Sequence, residues 1–583
     1  MLHTLTRSLR ENKGPALVTV LLSALEVVFE IVIPLFMSNL IDFGIEGGSM
    51  AAVWKFGAFL LLLAAFQLVT GVLAARIAAR ASVGFAANLR EDMYNNVQTF
   101  AFSNIDKFST ASIVTRLTTD TTNVQNAFQM LMRMAIRSPV MLIFSMIVSF
   151  RISRDISMTF LVILPILALA LFFIIRSVFP VFSRVFRTYD ELNNVVQENV
   201  RGIRVVKSFN QERHEIGKFG AISERIYKDF SKGERLITLN APLMQFCIYT
   251  CMIVISWLGA KAIIASGNDP ALGLTTGNLT ALITYTMQIL SSLMMLSMVF
   301  AMLTISLSSA RRIAEVLEER TDIPQPAQPV MTVRDGAVDF DHVSFVYASK
   351  ADKKVLDDID LHIRSGETIG IIGGTGASKS SLVQLIPRLY DVTGGKLTLG
   401  GVDVRDYDLD TLRGAVAMVL QKNELFSGTI AENLRWGNEN ATDEELRHAC
   451  KLACADGFIS AMPDGYDTHI EQGGTNVSGG QKQRLCIARA LLKKPKVLIL
   501  DDSTSAVDTR TDAQIQQALS TYIPDTTKII IAQRISSVQN ADRIVVLDDG
   551  HIDAVGSHDA LLRTCEIYRE VYESQQKGGE DDA

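Results

Sequence analysis

The first half of the chain alternates long apolar runs with polar stretches, and the second half changes to shorter segments that alternate between strand and helix patterns. Six of the apolar runs reach the roughly 20 residues that a helix needs to cross a bilayer. They span residues 16–41, 52–75, 128–150, 158–181, 239–265 and 276–307. The pattern predicts an all-helical membrane bundle of six transmembrane helices, and the even number returns the chain to its starting side.

Two polar helical stretches are too long to be simple loops. Residues 76–127 join the second span to the third, and residues 182–237 join the fourth to the fifth. At about 1.5 Å per residue, such helices extend tens of ångströms beyond the membrane as paired hairpins. Their predicted tips are residues 103–112 and 207–213, and a tip that contacts another domain can transmit motion.

The distribution of charge orients the chain. Three basic side chains in residues 7–13 precede the first span, whereas the following loop, residues 42–50, is acidic and rich in glycine. Basic residues favour the cytoplasmic side, so we expect a cytoplasmic N-terminus and second half; the outer loop with Arg151 and Arg154 is a local exception. A hydrophobic fraction of 48% agrees with residence in a lipid bilayer. A net charge of -6 argues against nucleic acid as a partner, because binding phosphates needs clustered basic residues.

A glycine-rich turn lies in the second half of the chain. In residues 368–381 an apolar strand leads through this turn to a helix that begins at Lys379. Backbone N–H groups and the helix N-terminus can then surround phosphates, with Lys379 at the terminal phosphates and the Ser380 hydroxyl at Mg²⁺. The spacing matches G-x-x-x-x-G-K-[ST] except that Ser378 replaces the last glycine. A Cβ there costs about 1 kcal/mol if a left-handed conformation is needed.

A second motif indicates the class of protein. Residues 477–484 read Val-Ser-Gly-Gly-Gln-Lys-Gln-Arg, and a short predicted helix, residues 485–492, separates them from an apolar strand that ends in Asp501. With these motifs in this order, nearly the whole chain resembles an ATP-binding cassette half-transporter of the exporter type. The resemblance implies a membrane all-α bundle fused to an α/β P-loop nucleotide-binding domain of ATP-binding cassette type, with ATP and Mg²⁺ as cofactors.

The composition and the resemblance together divide the chain into four parts. We predict a transmembrane domain at residues 1–318, a linker at 319–335 and a nucleotide-binding cassette at 336–574. The polar and acidic residues 575–583 are predicted to be a disordered tail.

The resemblance also assigns residues to the ATP site. Tyr347 would stack on adenine, and Gln421 would contact Mg²⁺ and the membrane helices. Asp508 belongs to a loop that runs between the two sites of a cassette dimer. The implied magnesium ligands are Ser380, Gln421 and Asp501. The implied phosphate-loop residues are Gly373, Gly374, Thr375, Gly376, Ala377, Ser378, Lys379, Ser380 and Ser381. The signature residues that would hold the γ-phosphate of the opposite cassette are Ser478, Gly479, Gly480 and Gln481.

Two positions depart from an active cassette. The residue after Asp501 would be a glutamate that orients the attacking water, and a histidine downstream would contact the γ-phosphate. The chain has Asp502 and Gln533 instead. Shortening a carboxylate by one methylene displaces it by roughly 1 Å, which can cost on the order of 10²-fold in rate. Gln533 can hydrogen-bond phosphate but cannot bear charge. The pair predicts a degenerate, slow site, and neutral change in a working site is the alternative.

The signature motif is intact apart from Val477 in place of the usual leucine. In a head-to-tail cassette dimer, each site combines one chain's phosphate loop with the other chain's signature. We therefore expect a heterodimer in which a second half-transporter supplies the missing glutamate and histidine. The combination resembles bacterial heterodimeric multidrug exporters, which implies outward movement of amphipathic small molecules, drug or lipid-like, across a bacterial plasma membrane by alternating access. A homodimeric exporter with slow sites and an ATP-gated regulatory membrane protein remain as alternatives.

Two acidic residues lie inside the first predicted span. Glu26 and Glu30 are four positions apart and therefore share one face of a helix. Ionisable groups at membrane depth are costly and usually face the bundle interior or water. They are candidates for a cation-attracting wall that contacts amphipathic cargo. The alternative is that they pair with neighbouring helices or line a wet cavity, and so act in stability alone.

Overall fold

The computed structural model describes residues 1–269, 273–347, 354–374 and 376–580. The chain forms two compact units, and both are discontinuous in sequence. The first consists of Met1–Gln98 and Ser109–Glu319, and the second combines Thr99–Phe108 with the residues from Arg320 onward. A short piece of the first half of the chain therefore belongs to the unit built mainly from the second half.

The first unit is all-helical. Within the described residues, six helices are long and apolar enough to cross a membrane, which confirms the predicted number. Two π-helical turns, Leu40–Glu46 and Arg116–Asp120, adjoin the first and third of them. In chain order, the helices up to residue 318 are α1 (Leu2–Arg7), α2 (Lys13–Asn39), α3 (Met50–Gln98), α4 (Phe102–Lys107), α5 (Thr110–Thr115), α6 (Thr121–Ile152), α7 (Arg154–Arg201), α8 (Ile203–Ser208), α9 (Glu212–Thr238), α10 (Asn240–Ser266) and α11 (Thr276–Glu318).

Apolar side chains of this unit point both inward and outward. Val27 of α2, Phe160 of α7 and Tyr285 of α11 are fully buried in a core shared by several helices. Leu61 and Ile264, in contrast, are 74% and 81% exposed. Such outward apolar residues suit helices whose solvent is lipid, because lipid tails are as apolar as leucine.

The long polar stretches break where the sequence predicts tips. α3 runs without interruption from the membrane span to Gln98, and α4 follows after a three-residue gap. In the second stretch α7 ends at Arg201, α8 follows, and α9 begins at Glu212. The first stretch thus joins α3 to α6 through α4, α5 and a π-helical turn, and the second joins α7 to α9 through α8 alone.

The second unit alternates strands and helices. It also includes 3₁₀ turns at Gly465–Asp467, Gln472–Gly474 and Ile535–Ser537. Its further elements are β1 (Val338–Phe345), β2 (Leu356–Ile363), β3 (Thr368–Gly373), α12 (Lys379–Leu385), β4 (Gly394–Leu399), β5 (Val402–Asp403), α13 (Leu409–Ala415), β6 (Val416–Val419), β7 (Gly428–Thr429), α14 (Ile430–Arg435), α15 (Asp443–Leu452), α16 (Asp456–Ser460), β8 (His469–Ile470), α17 (Gly479–Leu492), β9 (Val497–Asp501), α18 (Thr509–Tyr522), β10 (Thr527–Ile531), β11 (Arg543–Asp548), β12 (His551–Gly556), α19 (His558–Thr564) and α20 (Glu566–Glu580).

A six-stranded sheet positions the functional residues. Its strand order is β12-β11-β3-β10-β9-β6, and all neighbours are parallel except the edge pair β11 and β12. The central strands are continuous apolar runs because both of their faces are covered. The phosphate loop, Asp502 and Gln533 follow the carboxyl ends of β3, β9 and β10, which are adjacent strands. One edge of the sheet therefore brings these three segments together, at the place where open α/β sheets bind ligands.

A second, antiparallel sheet has the order β2-β1-β4-β5, and β7 pairs with β8. Side chains from the antiparallel sheet, from β3 and from α12 form one apolar core. A separate core joins α15, α17 and α20 to the other face of the large sheet. The phosphate-loop helix and the signature helix are thus each packed on a rigid core.

Two elements differ from the sequence prediction. α17 begins at Gly479 rather than at residue 485, because Ser478 caps it with a reciprocal capping box to Gln481. The tail predicted to be disordered is helical as far as Glu580. Tyr568, which is fully buried, docks this helix, and composition alone did not reveal that anchor. Residues 581–583 lie outside the described residues.

Candidate ATP-binding site

The phosphate loop leaves room for a ligand at its glycines. A Cβ on Gly374 or Gly376 would meet no heavy atom within 4 Å, and Gly376 has a φ of +87°. Ser378, directly before α12, has φ 65° and ψ 21°, which is left-handed. The strain predicted for a serine at this glycine position therefore applies. Thr375, predicted to bind the nucleotide, lies outside the described residues.

Lys379 is turned back onto its own loop. Its Nζ donates to the carbonyl oxygens of Gly373 and Gly374, both at 2.8 Å. Burial lowers the pKa of the ammonium, while the nearby Asp501 and Asp502 carboxylates act in the opposite direction. A phosphate group would be a stronger, charge-assisted acceptor for the same donors. The loop thus holds its cation close to where phosphate oxygens would lie.

Two of the predicted Mg²⁺ ligands, Ser380 and Asp501, lie beside this lysine. Asp501 ends β9 with 3% of its surface exposed. Burial, assisted by the Asp502 charge, raises the pKa of Asp501, and the nearby Ser380 side chain acts in the opposite direction. Gln421 is exposed and follows β6 at the same edge of the sheet. A hydroxyl and a carboxylate suit Mg²⁺, which takes few protein ligands and neutralises charge on a bound phosphate.

The predicted adenine platform, Tyr347, adjoins the phosphate-loop helix. Its hydroxyl lies 2.7 Å from the Ser381 hydroxyl, and the residue is 45% exposed. The ring packs edge-on against Tyr390 at 5.1 Å. Tyr390 also donates from its hydroxyl to Asp106 of α4 at 2.8 Å, within the same unit. Sequence reasoning missed Tyr390, because its partner is 284 residues away and no motif links them.

The signature residues form hydrogen bonds with each other at the N-terminus of α17. The Ser478 hydroxyl accepts from Gln481 N at 3.3 Å, and Gln481 Oε1 accepts from Ser478 N at 2.9 Å. Gly480 lies so close to the following loop that a Cβ would come within 2.7 Å of the Ala506 carbonyl oxygen, whereas Gly479 would make an ordinary contact. Gln483, which the sequence did not single out, is buried and accepts a bond from Ala506 N at 3.0 Å.

Asp508, at the end of that loop, caps α18. Its Oδ1 accepts from Thr511 N at 2.9 Å, and this backbone hydrogen bond holds the pKa of the carboxyl below its usual value. The structure therefore gives Asp508 a local role as a helix cap. A contact with nucleotide stays a prediction.

The two positions that depart from an active cassette contact each other. Gln533 Nε2 donates to Asp502 Oδ2 over 2.8 Å. Asp502 has a φ of +47°, which is rare for a residue with a Cβ, and its N–H donates to Ile531 O at 3.0 Å. Backbone conformations in sparsely populated φ/ψ regions persist where the surrounding structure stabilises them, often at functional sites. The fold thus joins two residues that the sequence marked separately.

Comparison with known proteins agrees with this geometry. The family model "ABC transporter transmembrane region" matches residues 16–294, and the model "ABC transporter" matches residues 356–505. The chain is 35% identical over 561 residues to the uncharacterized ABC transporter ATP-binding protein YfiB of Bacillus subtilis, covering 96% of each protein. It is 33% identical over 580 residues to the uncharacterized ABC transporter ATP-binding protein Rv1273c of Mycobacterium tuberculosis, covering 99% of this chain and 98% of the relative.

The chain belongs to the ABC transporter family. A solved structure of a bacterial Atm1-family ABC exporter with ATP bound has a TM-score of 0.82 to it, with 24% identity, covering 97% of this chain and 99% of that one. The fold is that of an ABC exporter half-transporter, and the protein is a multi-pass membrane protein. The matched cassette indicates ATP binding and hydrolysis, with Mg²⁺ the usual metal of such domains.

The two acidic residues of the first span of this ABC transporter share one cation. Arg137 of α6 donates from Nη1 to Glu26 Oε1 at 3.1 Å and from Nη2 to Glu30 Oε2 at 2.6 Å. The side chains of Glu26, Glu30 and Arg137 are 10%, 24% and 35% exposed. Gly71 of α3 lies directly beside Glu26, where a Cβ would be 3.3 Å from Oε1. Glu26, Glu30 and Arg137 are here called the membrane triad. With two carboxylates and one guanidinium, the triad has one formal negative charge in excess.

Proposed function

We propose that this chain is one half of a heterodimeric exporter, in which it holds ATP at a slow site while a different half-transporter supplies the faster site. Ser478, Gly479, Gly480 and Gln481 would complete the partner's site. The N-terminus and the cassette would lie in the cytoplasm, and the membrane would be a bacterial plasma membrane. Basic residues before α2 and the bacterial origin of the relatives support this orientation and location.

The bond between Asp502 and Gln533 carries this proposal. A carboxylate that orients an attacking water needs a lone pair directed at that water. Asp502 is one methylene shorter than glutamate, and its Oδ2 is already occupied by the Gln533 amide. Gln533 remains uncharged at every pH, so it cannot add positive charge beside a γ-phosphate. Each substitution thus reinforces the other in slowing hydrolysis.

The intact signature supports the heterodimer rather than a protein that has lost all ATPase function. Ser478 and Gln481 form a complete capping box, and Gly480 fits against Ala506 where a larger residue would not. The glycines at positions 479 and 480 leave the first turn of α17 without side-chain bulk, as a phosphate-binding helix end requires. A chain that only held ATP for itself would have no need of them.

The test is Mg²⁺-dependent ATP turnover of the full chain, purified alone in lipid nanodiscs. The wild type is compared with Asp502→Glu/Gln533→His, and with Asp548→Glu/Gln539→His as a matched control at exposed cassette positions. We expect the wild type and the control to be nearly silent, and the first variant to gain on the order of 10²-fold. Wild-type turnover near 1 s⁻¹, roughly the lower end of enzyme rates, would instead favour the homodimer.

We further propose that the cargo is an amphipathic small molecule and that the membrane triad favours cations. The supporting observation is the shared guanidinium, since Arg137 neutralises only one of the two carboxylates. At membrane depth an uncompensated charge is costly, and a cationic cargo would offset that cost. The pairing is equally consistent with the alternative, in which these residues pair with a neighbouring helix and stabilise the bundle, and the two roles are compatible.

Binding of tetraphenylphosphonium and of a neutral analogue of equal size tests this selectivity in nanodiscs. Glu30→Gln should weaken binding of the cation by about ten-fold, since each 1.4 kcal/mol of lost attraction is tenfold. The neutral analogue should bind as before, and Glu46→Gln outside the triad should change neither. Equal losses for both ligands would assign the triad to stability alone. Nucleotide-dependent ion conductance without cargo movement would favour the regulatory alternative.

A further inference from the structure

The last helix, α20, reaches the ATP site through one side chain. Gln575 Nε2 donates to the backbone carbonyl of Gln533 over 2.8 Å, and Gln575 Oε1 accepts from the backbone N–H of Ile535 over 2.9 Å. One amide therefore bonds the chain on both sides of Arg534. The side chain of Gln533 donates to Asp502, so Gln533 links α20 to the residue that follows β9.

The position of Gln575 on α20 is fixed by packing. Tyr568 is fully buried, and its hydroxyl lies 2.8 Å from His558 Nδ1. Val571 and Tyr572 pack against the same core. Gln575 follows these residues by seven, four and three positions, so it lies on the same face of the helix. The docked face of α20 therefore directs this amide at the segment after β10.

Two backbone groups of that segment are hydrogen-bonded to Gln575. β10 ends at Ile531, and a 3₁₀ turn begins at Ile535, so Gln533 lies between two regular elements. Gln533 itself is exposed, and packing does not hold it. The Gln533 carbonyl and the Ile535 N–H flank Arg534, so one amide bonded to both constrains the backbone of Arg534 and the orientation of the Gln533 carbonyl. The Gln533 side chain leaves the backbone directly before this held carbonyl, so the constraint limits where its amide can lie relative to Asp502.

We propose that Gln575 is a positioning residue for the ATP site. It holds the backbone of Gln533 so that the side-chain amide meets Asp502 and, with ATP bound, the γ-phosphate. The inference rests on the proposed function only in assigning Gln533 to the γ-phosphate. It adds that α20, of which sequence composition assigns the residues from Gln575 onward to a tail, is part of the nucleotide-sensing structure.

The test compares the affinities of the full chain, in lipid nanodiscs, for ADP and for the non-hydrolysable ATP analogue adenylyl imidodiphosphate with Mg²⁺. Gln575→Ala should reduce the preference for the triphosphate by about five-fold, the equivalent of one hydrogen bond. Its ADP affinity should stay within about two-fold. Gln576→Ala is the matched control, because this neighbouring amide donates to Tyr572 on the same helix and not to the site. It should leave the preference unchanged.

A double-mutant cycle separates positioning from general stability. If Gln575 acts through Gln533, then Gln575→Ala should cause no further loss of preference in a Gln533→Ala background. Additive losses, an equal loss of ADP and triphosphate affinity, or no effect of Gln575→Ala would each overturn the proposal.

Amide hydrogen exchange at Ile535 provides a readout that needs no ligand. Exchange should accelerate in Gln575→Ala and stay slow in Gln575→Glu, because glutamate keeps the oxygen that accepts from the Ile535 N–H. The glutamate variant also replaces the alanine variant in the experiment if the latter does not fold. Unchanged exchange in the alanine variant, or fast exchange in the glutamate variant, would contradict the proposal. None of these measurements involves ATP turnover. They can therefore overturn the proposal about Gln575 without affecting the slow-site proposal, and the turnover experiment can overturn the slow-site proposal without affecting this one.

Discussion

The hydroxyl of Tyr347 lies 2.7 Å from the hydroxyl of Ser381, so the predicted adenine platform is hydrogen-bonded to the helix that follows the phosphate loop. The bond uses the edge of the tyrosine ring and leaves its faces to other contacts. Adenine stacking would use a face. The two functions of this side chain can therefore be separated by substitution.

We predict that Tyr347→Phe keeps ATP affinity within about two-fold, whereas Tyr347→Ala weakens it by about 1–3 kcal/mol, the usual value of one base–aromatic stack. The measurement is fluorescence titration with ATP and with GTP. Both nucleotides should respond alike, because stacking is tolerant of the base. A phenylalanine variant as weak as the alanine variant would show that the hydroxyl, not the ring, is required.

Ser378 offers a second test, on backbone strain. Ser378→Gly should raise the free energy of unfolding of the cassette by about 1 kcal/mol, because glycine adopts a left-handed conformation without a Cβ penalty. Ser557→Gly is the matched control, since Ser557 also precedes a helix but has a φ of -74°. Ser557→Gly should not raise the free energy of unfolding. Chemical denaturation followed by tryptophan fluorescence makes the comparison, and equal effects at both serines would refute the strain argument.

The membrane triad should stabilise the helix bundle. Arg137→Ala leaves two carboxylates unpaired, and we expect a loss of about 2 kcal/mol, below the range for fully buried pairs because the arginine is partly exposed. The triple variant Glu26→Gln/Glu30→Gln/Arg137→Gln removes all charge and should recover much of this loss. Arg133→Ala, one turn earlier on α6, is the control. In thermal unfolding in detergent, Arg137→Ala should be the least stable variant, and the stability of the triple variant should lie between it and the Arg133→Ala control. A triple variant less stable than Arg137→Ala would contradict this prediction.

The single substitutions at the slow site should not add. Asp502→Glu and Gln533→His alter two side chains that are bonded to each other, so the effect of one depends on the other. We expect either change alone to raise ATP turnover by less than about ten-fold, and the pair to exceed the product of the singles. Steady-state phosphate release from the purified chain measures all four proteins. Strict additivity would mean that the two positions act independently.

Much of this structure follows from short-range sequence patterns. The six spans can be predicted because each has about 20 apolar residues. The meeting of three functional segments at one edge of the large sheet can be predicted because each segment follows an apolar strand. The spacing of the phosphate loop marked Ser378 as the position where a left-handed backbone would be strained, and the structure has that conformation there. These features depend on neighbouring residues, which a single sequence reveals.

Contacts between distant residues could not be predicted in this way. Arg137 is 111 and 107 residues from the two carboxylates it bonds, and no pattern within α2 points to it. Gln575 was assigned to a disordered tail because its surroundings are polar. Docking of α20 by Tyr568 is a tertiary effect that outweighs composition. The bond from Gln533 to Asp502 likewise required the parallel register of β9 and β10.

The grouping of Thr99–Phe108 with the cassette has a consequence for synthesis. Asp106 leaves the ribosome 284 residues before Tyr390, its hydrogen-bond partner. At about 5–20 residues per second, that delay is roughly 15 to 60 s. During this interval the segment is made but its binding surface is not. The second unit therefore completes its fold only after most of the chain has been translated, and a cassette expressed from residue 320 onward would lack one of its own parts.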